Sequence, residues 1–265
     1  MVLSPVVTII TVSLNSEKYI ENAIKSVLFQ DYRNIEYWII DGKSTDSTPM
    51  IVQKYLPLFK GRLHFLSEKD EGIYNAMNKG ILKSKGEIIG ILNSDDWYEN
   101  NIISYIVSKM CNYDMLHGNM CIVDKDNNKI KIYRHRNKVF WKYISTPFNH
   151  PTMFVKKYIY NSIGLFNEEF YTAADYNFML KFCNSKYKDI YVDRTITNVR
   201  AVGITSSAKK VVNPYQIIRV LNENNINFFL SIIYVLIRYI REFLSKILNH
   251  KVIRKSISKI IFYQK

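Results

Sequence analysis

The stretch Gly90–Tyr98, with the sequence GILNSDDWY, decides how the chain is interpreted, because an apolar run ends abruptly in polar and acidic residues. Asn93, Ser94, Asp95 and Asp96 could simply turn the chain, since Asn, Ser and Asp are common turn residues. At the end of a buried strand, however, two adjacent carboxylates would each cost several kcal/mol to desolvate unless a cation or strong donors satisfied them. Hard oxygen ligands of this kind suit Mg²⁺ or Mn²⁺ bound jointly with substrate phosphates.

Outward from this stretch, apolar runs alternate with amphipathic segments through the first half of the chain. The predicted strands are Val6–Ser13, Ile35–Ile40, Leu63–Leu66 and Glu87–Leu92, and the predicted helices are Tyr19–Phe29, Thr48–Leu58 and Tyr74–Leu82. Strand and helix alternation of this kind predicts an α/β fold with a parallel sheet and helices on both faces.

Polar and acidic residues follow all four predicted strands. They are Ser13–Asn15, Asp41–Asp46, Glu68–Gly72 and Asn93–Asp96. Ligands bind at the carboxyl ends of the strands in such sheets, so these loops are the candidate site. Turn chemistry alone explains any one of the loops, but it explains less well four loops that converge with so many carboxylates. From these residues, Asp41 can accept hydrogen bonds from a nucleobase or ribose, and Thr11 and Asn15 can bracket the same base.

The second half is less regular. Tyr113–Tyr133 predicts two or three strands with a hairpin at Asp126–Asn128. Glu168–Phe182 predicts a helix that carries Asp175 in its middle. The sequence contains no internal repeat.

The composition excludes several classes of protein. Three widely spaced cysteines among 265 residues indicate neither a disulfide framework nor a zinc cluster. The sequence has neither a phosphate-binding P-loop motif nor a dinucleotide fingerprint. The N-terminus lacks the basic segment and cleavage site of a signal peptide, so we expect a protein that is not exported.

The basic charge is concentrated at the C-terminus. The formal net charge is +14, and Arg238–Lys265 contains eight Lys or Arg residues and one acid. The apolar run Ile226–Ile237 has 12 residues, fewer than the ~20 that a spanning helix needs. An apolar stripe follows it, formed by Ile240, Phe243, Leu244, Ile247 and Leu248. This pattern favours a helix lying on an anionic membrane surface. Packing on the domain or a partner, nucleic-acid binding, and a tilted re-entrant or spanning helix over 225–240 stay open as alternatives.

Several motifs, in this order and spacing, carry a resemblance to a known family. They are Thr11–Asn15 with Ala23–Val27, Ile40–Thr48, Glu68–Gly80, Gly86–Ile89 and Leu92–Asp96. Together they resemble the family 2 glycosyltransferases of the GT-A fold, especially the bacterial enzymes that build O-antigen, capsule and exopolysaccharide. The resemblance covers about residues 4–205. It implies a mainly parallel central sheet flanked by helices, a nucleotide-sugar donor, usually a UDP-sugar, and Mn²⁺ or Mg²⁺ as cofactor.

The resemblance also implies roles for individual residues. The nucleotide-sugar-binding positions would be Thr11, Asn15, Asp41, Asp70, Asn78 and Asp95. Asp96 would be the direct metal ligand of a D-x-D-type motif whose first position is Asn93 here. Asp175 would be the base that deprotonates the acceptor hydroxyl, although Ala174 stands where the family often has Glu. His150 would lie near the diphosphate or the acceptor; it is otherwise a loop or packing residue.

These expectations define a domain plan and a function. Residues 1–205 would form the GT-A domain, with 1–112 binding the donor and 113–205 the acceptor, and 206–265 would form a basic amphipathic tail. The expected activity is the transfer of a sugar, with inversion, to a saccharide acceptor. We expect this acceptor to be linked to polyprenyl diphosphate and the protein to act at the cytoplasmic face of the membrane. No nucleic-acid partner is expected. The rival functions are a nucleotidyltransferase, which lacks its Gly-rich loop here, and a non-enzymatic membrane-surface or nucleic-acid-binding protein.

Overall fold

The computed structural model describes residues 4–134, 142–201 and 213–248. The remainder of the predicted basic tail, residues 206–212 and 249–265, lies outside the described residues. The first half alternates strand and helix as predicted: β1 Val7–Ser13, α1 Ile20–Leu28, β2 Ile35–Asp41, α2 Thr48–Tyr55, β3 Leu63–Ser67, α3 Ile73–Lys83 and β4 Ile88–Asn93.

These four strands form the parallel half of the sheet. Strand β1 lies between β2 and β4, and β2 pairs with β3, all in parallel. The carboxyl ends of the four strands therefore lie along one edge, as the sequence predicted. Helix α2 ends at Tyr55, earlier than predicted, and continues as a 3-10 turn over Leu56–Phe59. The reason is Pro57, which has no backbone N–H to donate to the Gln53 carbonyl; the Leu56 amide donates to that carbonyl instead.

The second half adds shorter strands and further helices. They are β5 Trp97–Tyr98, α4 Ile102–Lys109, β6 Met115–Val123, β7 Lys129–Tyr133, β8 Phe154–Lys156, α5 Lys157–Ile163, α6 Ala174–Cys183, β9 Asp189–Arg200, α7 Pro214–Glu223 and α8 Phe228–Leu248. The sheet has the order β3-β2-β1-β4-β8-β6-β9-β5, and β7 pairs with β6. The hairpin between β6 and β7 is confirmed. Because β8 runs antiparallel to both β4 and β6, the complete sheet is mixed.

The predicted helix over Glu168–Phe182 is shorter in the structure. Helix α6 begins at Ala174, and the preceding residues form turns that bury Phe166 and Phe170. Asn167 starts one of these turns, since its side-chain oxygen accepts a hydrogen bond from the Glu169 amide at 3.1 Å. Asp175 therefore lies in the first turn of a helix and not in its middle.

Two apolar layers cover the sheet. One face packs against α1, α2 and α4, and the other packs against α3, α5, α6 and α7. Helix α7 belongs to the second layer, because Ile217, Val220 and Leu221 are buried there beside Phe178 of α6. Helix α8 adds Val235 to the same layer. No helix within the described residues is both long and apolar enough to cross a membrane.

Candidate active site

Asp95 and Asp96 lie in the turn that follows β4, where Asp96 is buried and Asp95 is half-buried. Asp96 is 1% exposed, and a turn closes around it because its amide donates to the Asn93 carbonyl at 3.2 Å. The Asn93 side-chain amide donates to Asp96 Oδ2 at 3.0 Å, and the Arg200 backbone amide donates weakly to Oδ1 at 3.4 Å. Burial, and then the negative charge of the neighbouring Asp95, raise the pKa of Asp96 to about 8. Burial also raises the pKa of Asp95. The fold thus holds two carboxylates where their negative charge is poorly compensated.

Arg200, at the end of β9, is a cation that acts on this pair: its positive charge lowers the pKa of both Asp95 and Asp96 and so opposes the effect of burial. The guanidinium carbon lies 4.7 Å from the ring centres of both Tyr19 and Trp97. Its Nη1 donates to the Asn127 side chain at 2.7 Å, and its buried Nε has no hydrogen-bond partner among the described residues. Two aromatic faces hold a planar cation in one orientation, so the charge of Arg200 is fixed beside the carboxylates.

These carboxylates fit a divalent cation. Their oxygens are hard ligands of the kind that Mg²⁺ and Mn²⁺ prefer, and the buried negative charge needs a counter-ion. No cluster of three or more His, Cys, Asp or Glu ligands occurs within the described part of the chain. A site with two protein carboxylates suits a cation that takes its other ligands from substrate phosphates and water. Asp96 would hold the metal, with Asp95 and the Asn93 amide close by.

Asp41 is fully buried and all its hydrogen-bonding capacity is used. Its Oδ1 accepts from the hydroxyls of Ser13 and Ser44, and its Oδ2 accepts from the Ser44 amide and the Ser67 hydroxyl. A carboxylate offers about four acceptor sites, so a nucleoside reaches Asp41 only if a serine hydroxyl gives way. In this arrangement Asp41 fixes the ends of β1, β2 and β3 relative to one another.

Asn15 joins the same group of loops. It has a positive φ of 48°, and its side-chain oxygen accepts from the Thr45 amide at 2.9 Å. One residue further, the hydroxyls of Ser16 and Ser94 share a hydrogen bond of 2.7 Å. The loop after β1 is therefore tied both to the loop after β2 and to the acidic turn after β4.

Asp70 lies against the loop after β2. A Cβ atom built on Gly42 would stand 2.6 Å from Asp70 Oδ2, which shows how closely this carboxylate approaches the backbone. The Gly72 amide donates to the other oxygen, Oδ1, at 3.0 Å. The structure thus brings Asn15, Asp41 and Asp70 together at one edge of the sheet.

Two other predicted nucleotide-binding residues have different surroundings. Thr11 is fully buried, and its hydroxyl shares a hydrogen bond of 3.0 Å with the Tyr37 hydroxyl inside the core. The expectation that Thr11 brackets a base is therefore corrected, because its side chain faces the packed layer beneath the sheet. Asn78 is 5% exposed and donates both amide hydrogens to the carbonyl of Phe166 and the carboxylate of Glu168. Its contacts link α3 to the acceptor half.

The candidate base, Asp175, lies in the first turn of α6, in the second half of the chain. Its Oδ1 accepts from the Tyr74 hydroxyl at 3.0 Å and from the Tyr176 amide at 2.8 Å. Burial lowers the pKa of His150, and the Asp175 carboxylate opposes that shift, which places the two residues within electrostatic reach of each other. The Thr197 hydroxyl of β9 donates to the Pro151 carbonyl at 2.6 Å. Strand β9 therefore connects the His150 turn to the Asp96 turn through Arg200.

This arrangement can be compared with known proteins. A sequence profile described as "Glycosyl transferase family 2" matches residues 8–164, more than half of the chain. The chain belongs to glycosyl transferase family 2. The matched part runs from β1 to α5 and includes the acidic turn and the His150 turn.

Relatives and solved structures agree with family 2 membership. The chain is 26% identical to an uncharacterised glycosyltransferase of Rickettsia prowazekii over 230 residues, which are 81% of this chain and 70% of that protein. Residues 1–349 of S. aureus TarS, solved with UDP-GlcNAc, match with 19% identity and a TM-score of 0.66, over 90% of this chain and 72% of that one. The Pyrobaculum calidifontis mannosyltransferase PcManGT, solved with GDP-Man and Mn²⁺, matches with 15% identity and a TM-score of 0.67, over 97% and 84%. At such identities the structural likeness shows the fold, so the predicted GT-A fold is confirmed.

Sequence reasoning missed two residues of this family 2 site, Arg200 and Tyr74. Arg200 ends a strand that the sequence did not predict, and the aromatic rings around it come from distant parts of the chain. Tyr74 stands within the recognised Glu68–Gly80 motif, and it is separated from Asp175 by 101 positions. The position of Tyr74 within this motif was the signal that the sequence offered, but it did not identify Asp175 as the partner of Tyr74.

Proposed function

We propose that this chain transfers a sugar, with inversion, from a nucleotide-sugar donor, a UDP-sugar in the first instance, to a hydroxyl group of a saccharide acceptor. The observation that carries the proposal is the Asp95–Asp96 pair, with Asp96 buried, at the carboxyl ends of a parallel sheet, and with Asp175 on the facing half. Family membership supports the class of reaction. The binding of UDP-GlcNAc and GDP-Man by structurally similar proteins supports the class of donor.

The donor side would use the loops after β1 to β4. Asn15, Asp41 and Asp70 form the edge at which the nucleoside would lie, while Asp95 would contact the ribose or the sugar. A Mn²⁺ or Mg²⁺ ion held by Asp96 would supply Lewis-acid stabilisation for the diphosphate as its negative charge grows. Arg200 contributes a fixed positive charge beside the same turn, which favours an anionic leaving group.

The acceptor side would use Asp175 as general base. The acceptor oxygen attacks C1 of the sugar and forms the new C–O bond, while the bond from C1 to the diphosphate oxygen breaks and its electron pair leaves with the nucleoside diphosphate. Asp175 takes the acceptor's proton. A general base of this kind contributes about 10²- to 10⁴-fold to the rate. His150, which interacts electrostatically with Asp175, would help to orient the acceptor or the Asp175 carboxylate.

Binding of UDP to the purified protein tests the donor and metal assignments. We expect calorimetry to show UDP binding that requires Mn²⁺ or Mg²⁺ in the wild type and is lost in Asp96→Ala, while circular dichroism shows that the variant keeps its fold. Asp124→Asn, in the β6–β7 hairpin, is the control and should bind UDP as the wild type does. Normal binding of UDP and Mn²⁺ by Asp96→Ala would refute the metal assignment. If the wild type bound neither UDP nor GDP, the donor class would be wrong.

We also propose that the acceptor is lipid-linked, as in surface polysaccharide synthesis, and that the tail from residue 206 docks at the inner face of the cytoplasmic membrane. Helix α8 supports this, because one face buries Ser231 and Val235 against the protein. The other face exposes large apolar side chains at helical spacing: Phe229, Ile233, Leu236, Ile240 and Phe243. Exposed apolar stripes of this length mark interaction surfaces, and the basic residues of the tail favour anionic lipid as the partner.

Vesicle flotation tests the docking. The wild type should float with vesicles that contain phosphatidylglycerol and less with pure phosphatidylcholine, and the double variant Ile233→Glu with Ile240→Glu should stay in the soluble fraction. Leu82→Glu, which places the same charge at an exposed apolar residue of α3, is the control and should float. Flotation of the double variant to the wild-type extent would refute the role of α8.

A further inference from the structure

Helix α3 contacts the acceptor half of the protein through three polar side chains. Tyr74 and Asn78 are four residues apart and so lie on one face of the helix, with Asn75 beside them. Tyr74 reaches Asp175, and both asparagines donate to the Glu168 carboxylate, Asn75 at 2.8 Å and Asn78 at 2.7 Å. The motif that sequence reasoning assigned to the nucleotide therefore makes its polar contacts with the segment that carries the candidate base.

The contact between Tyr74 and Asp175 fixes one oxygen of the carboxylate. Oδ1 accepts from the Tyr74 hydroxyl and from the Tyr176 amide, which come from two different directions. Within the described residues, Oδ2 accepts no hydrogen bond from the protein. A carboxylate held in this way keeps one orientation and leaves one oxygen for the proton of an acceptor hydroxyl.

Tyr74 is also a permanent donor. Burial raises the pKa of its hydroxyl far above the ordinary value, and the negative charge of Asp175 raises it further. The hydroxyl is therefore protonated at every working pH. The hydrogen bond from Tyr74 to Asp175 Oδ1 therefore forms at any pH at which the assay is run.

An aromatic platform keeps Tyr74 in place. Its ring packs on Phe166 with 5.7 Å between the ring centres, and the His150 ring packs against the same Phe166 at 5.7 Å. Asn78 holds the Phe166 backbone in both directions, since it donates to the carbonyl at 2.8 Å and accepts from the amide at 3.1 Å. Tyr74 and His150, whose pKa values both respond to the charge of Asp175, therefore pack on the same Phe166 ring.

We propose that Tyr74 is a positioning residue for the base: it orients the Asp175 carboxylate, with Asn78 supporting it through Phe166. This inference rests on the proposed function, since it needs Asp175 to accept the proton. It assigns Tyr74 and Asn78 of the α3 motif to the acceptor chemistry, while donor binding stays with the loops after β1 to β4.

Tyr74→Phe tests the proposal, because it removes the hydroxyl and keeps the ring on Phe166. The assay is release of nucleoside diphosphate, with saturating Mn²⁺, from whichever of a panel of UDP- and GDP-sugars the wild type hydrolyses fastest, measured across the pH range. Loss of a hydrogen bond to a charged group corresponds to about a 10- to 100-fold loss of rate. We expect a loss of this size in kcat, with KM and UDP affinity close to wild type.

Tyr160→Phe is the matched control. Tyr160 packs on the same Phe166 ring, at 6.1 Å, and its hydroxyl is not bonded to Asp175. It should therefore keep the wild-type kcat. Equal kcat values for Tyr74→Phe, Tyr160→Phe and the wild type would overturn the role of Tyr74 and leave the proposed function standing. If the wild type released no nucleoside diphosphate from any donor, the proposed function would fail, and the role of Tyr74 in it would fail with it.

Discussion

Replacement of Asp96 by asparagine should stabilise the metal-free protein while it abolishes metal binding. Burial, and then the neighbouring Asp95, raise the pKa of Asp96 from 3.8 to about 8. Between these two values the folded state holds a proton that the unfolded state releases. The free energy of unfolding of the metal-free protein therefore falls as the pH rises through this window, and an uncharged side chain removes the effect.

The pKa difference sets an upper limit on the gain. About four pKa units correspond to about 5 kcal/mol at pH 8. The realised gain is smaller, because the new amide faces the Asn93 amide, which now donates to Asp96 Oδ2. We therefore expect a gain of about 1–3 kcal/mol. For a chain of this size that corresponds to a rise of about 3–10 °C in the melting temperature.

Thermal denaturation in EDTA between pH 6 and 8 measures this effect. The melting temperature of the wild type should fall toward pH 8, whereas that of Asp96→Asn should stay nearly constant and lie above it. Asp124→Asn is the control of opposite sign: the Asn128 amide holds the pKa of Asp124 below its ordinary value, so loss of this charge should not stabilise the protein. A melting temperature for Asp96→Asn at or below the wild type at pH 8 would refute the account of the acidic turn.

Three further substitutions address the surroundings of the site. Gly42→Ala would place a Cβ 2.6 Å from Asp70 Oδ2, so that side chain must move, and calorimetry should show UDP affinity reduced by about 5- to 10-fold with little change in melting temperature. Asp41→Ala removes a fully buried acceptor from four donors and should lower the free energy of unfolding by about 2–4 kcal/mol in urea; a loss below 1 kcal/mol, a value about that of one ordinary hydrogen bond, would contradict this. Arg200→Lys removes the planar cation next to Trp97 and should cost about 1–2 kcal/mol by the same assay, whereas an unchanged midpoint would show that the stacking is unimportant.

The parallel half of the fold could be predicted because its signals are local. The apolar runs of β1 to β4 and the polar residues after them identify strands and their ends without knowledge of the partners. Parallel connectivity then places those ends at one edge, which brings Asp41, Asp70 and Asp96 close together. The resemblance added the chemistry, and the family was confirmed on this half and the strands that follow it.

The other half depends on contacts between distant residues, so the sequence indicated less about it. The pattern of Glu168–Phe182 suits a helix, but Phe166 and Phe170 anchor the first part of the segment in turns. Thr11 and Asn78 have polar side chains that suit a binding site, and only their partners in the fold show that they are committed to the core and to the acceptor half. Arg200 depends on three separate segments and has no local signature.

The central claim is that Asp96 and Asp175 divide the work of a metal-dependent sugar transfer, and hydrolysis of a donor panel tests it most directly. Purified protein would be incubated with UDP- and GDP-sugars in Mn²⁺, in Mg²⁺ and in EDTA, and free nucleoside diphosphate would be measured. The account predicts slow release from one donor that requires the metal, disappears in Asp96→Asn and falls by about 10²- to 10⁴-fold in Asp175→Asn. Release that persists in EDTA, or that is unchanged in Asp175→Asn, would contradict it.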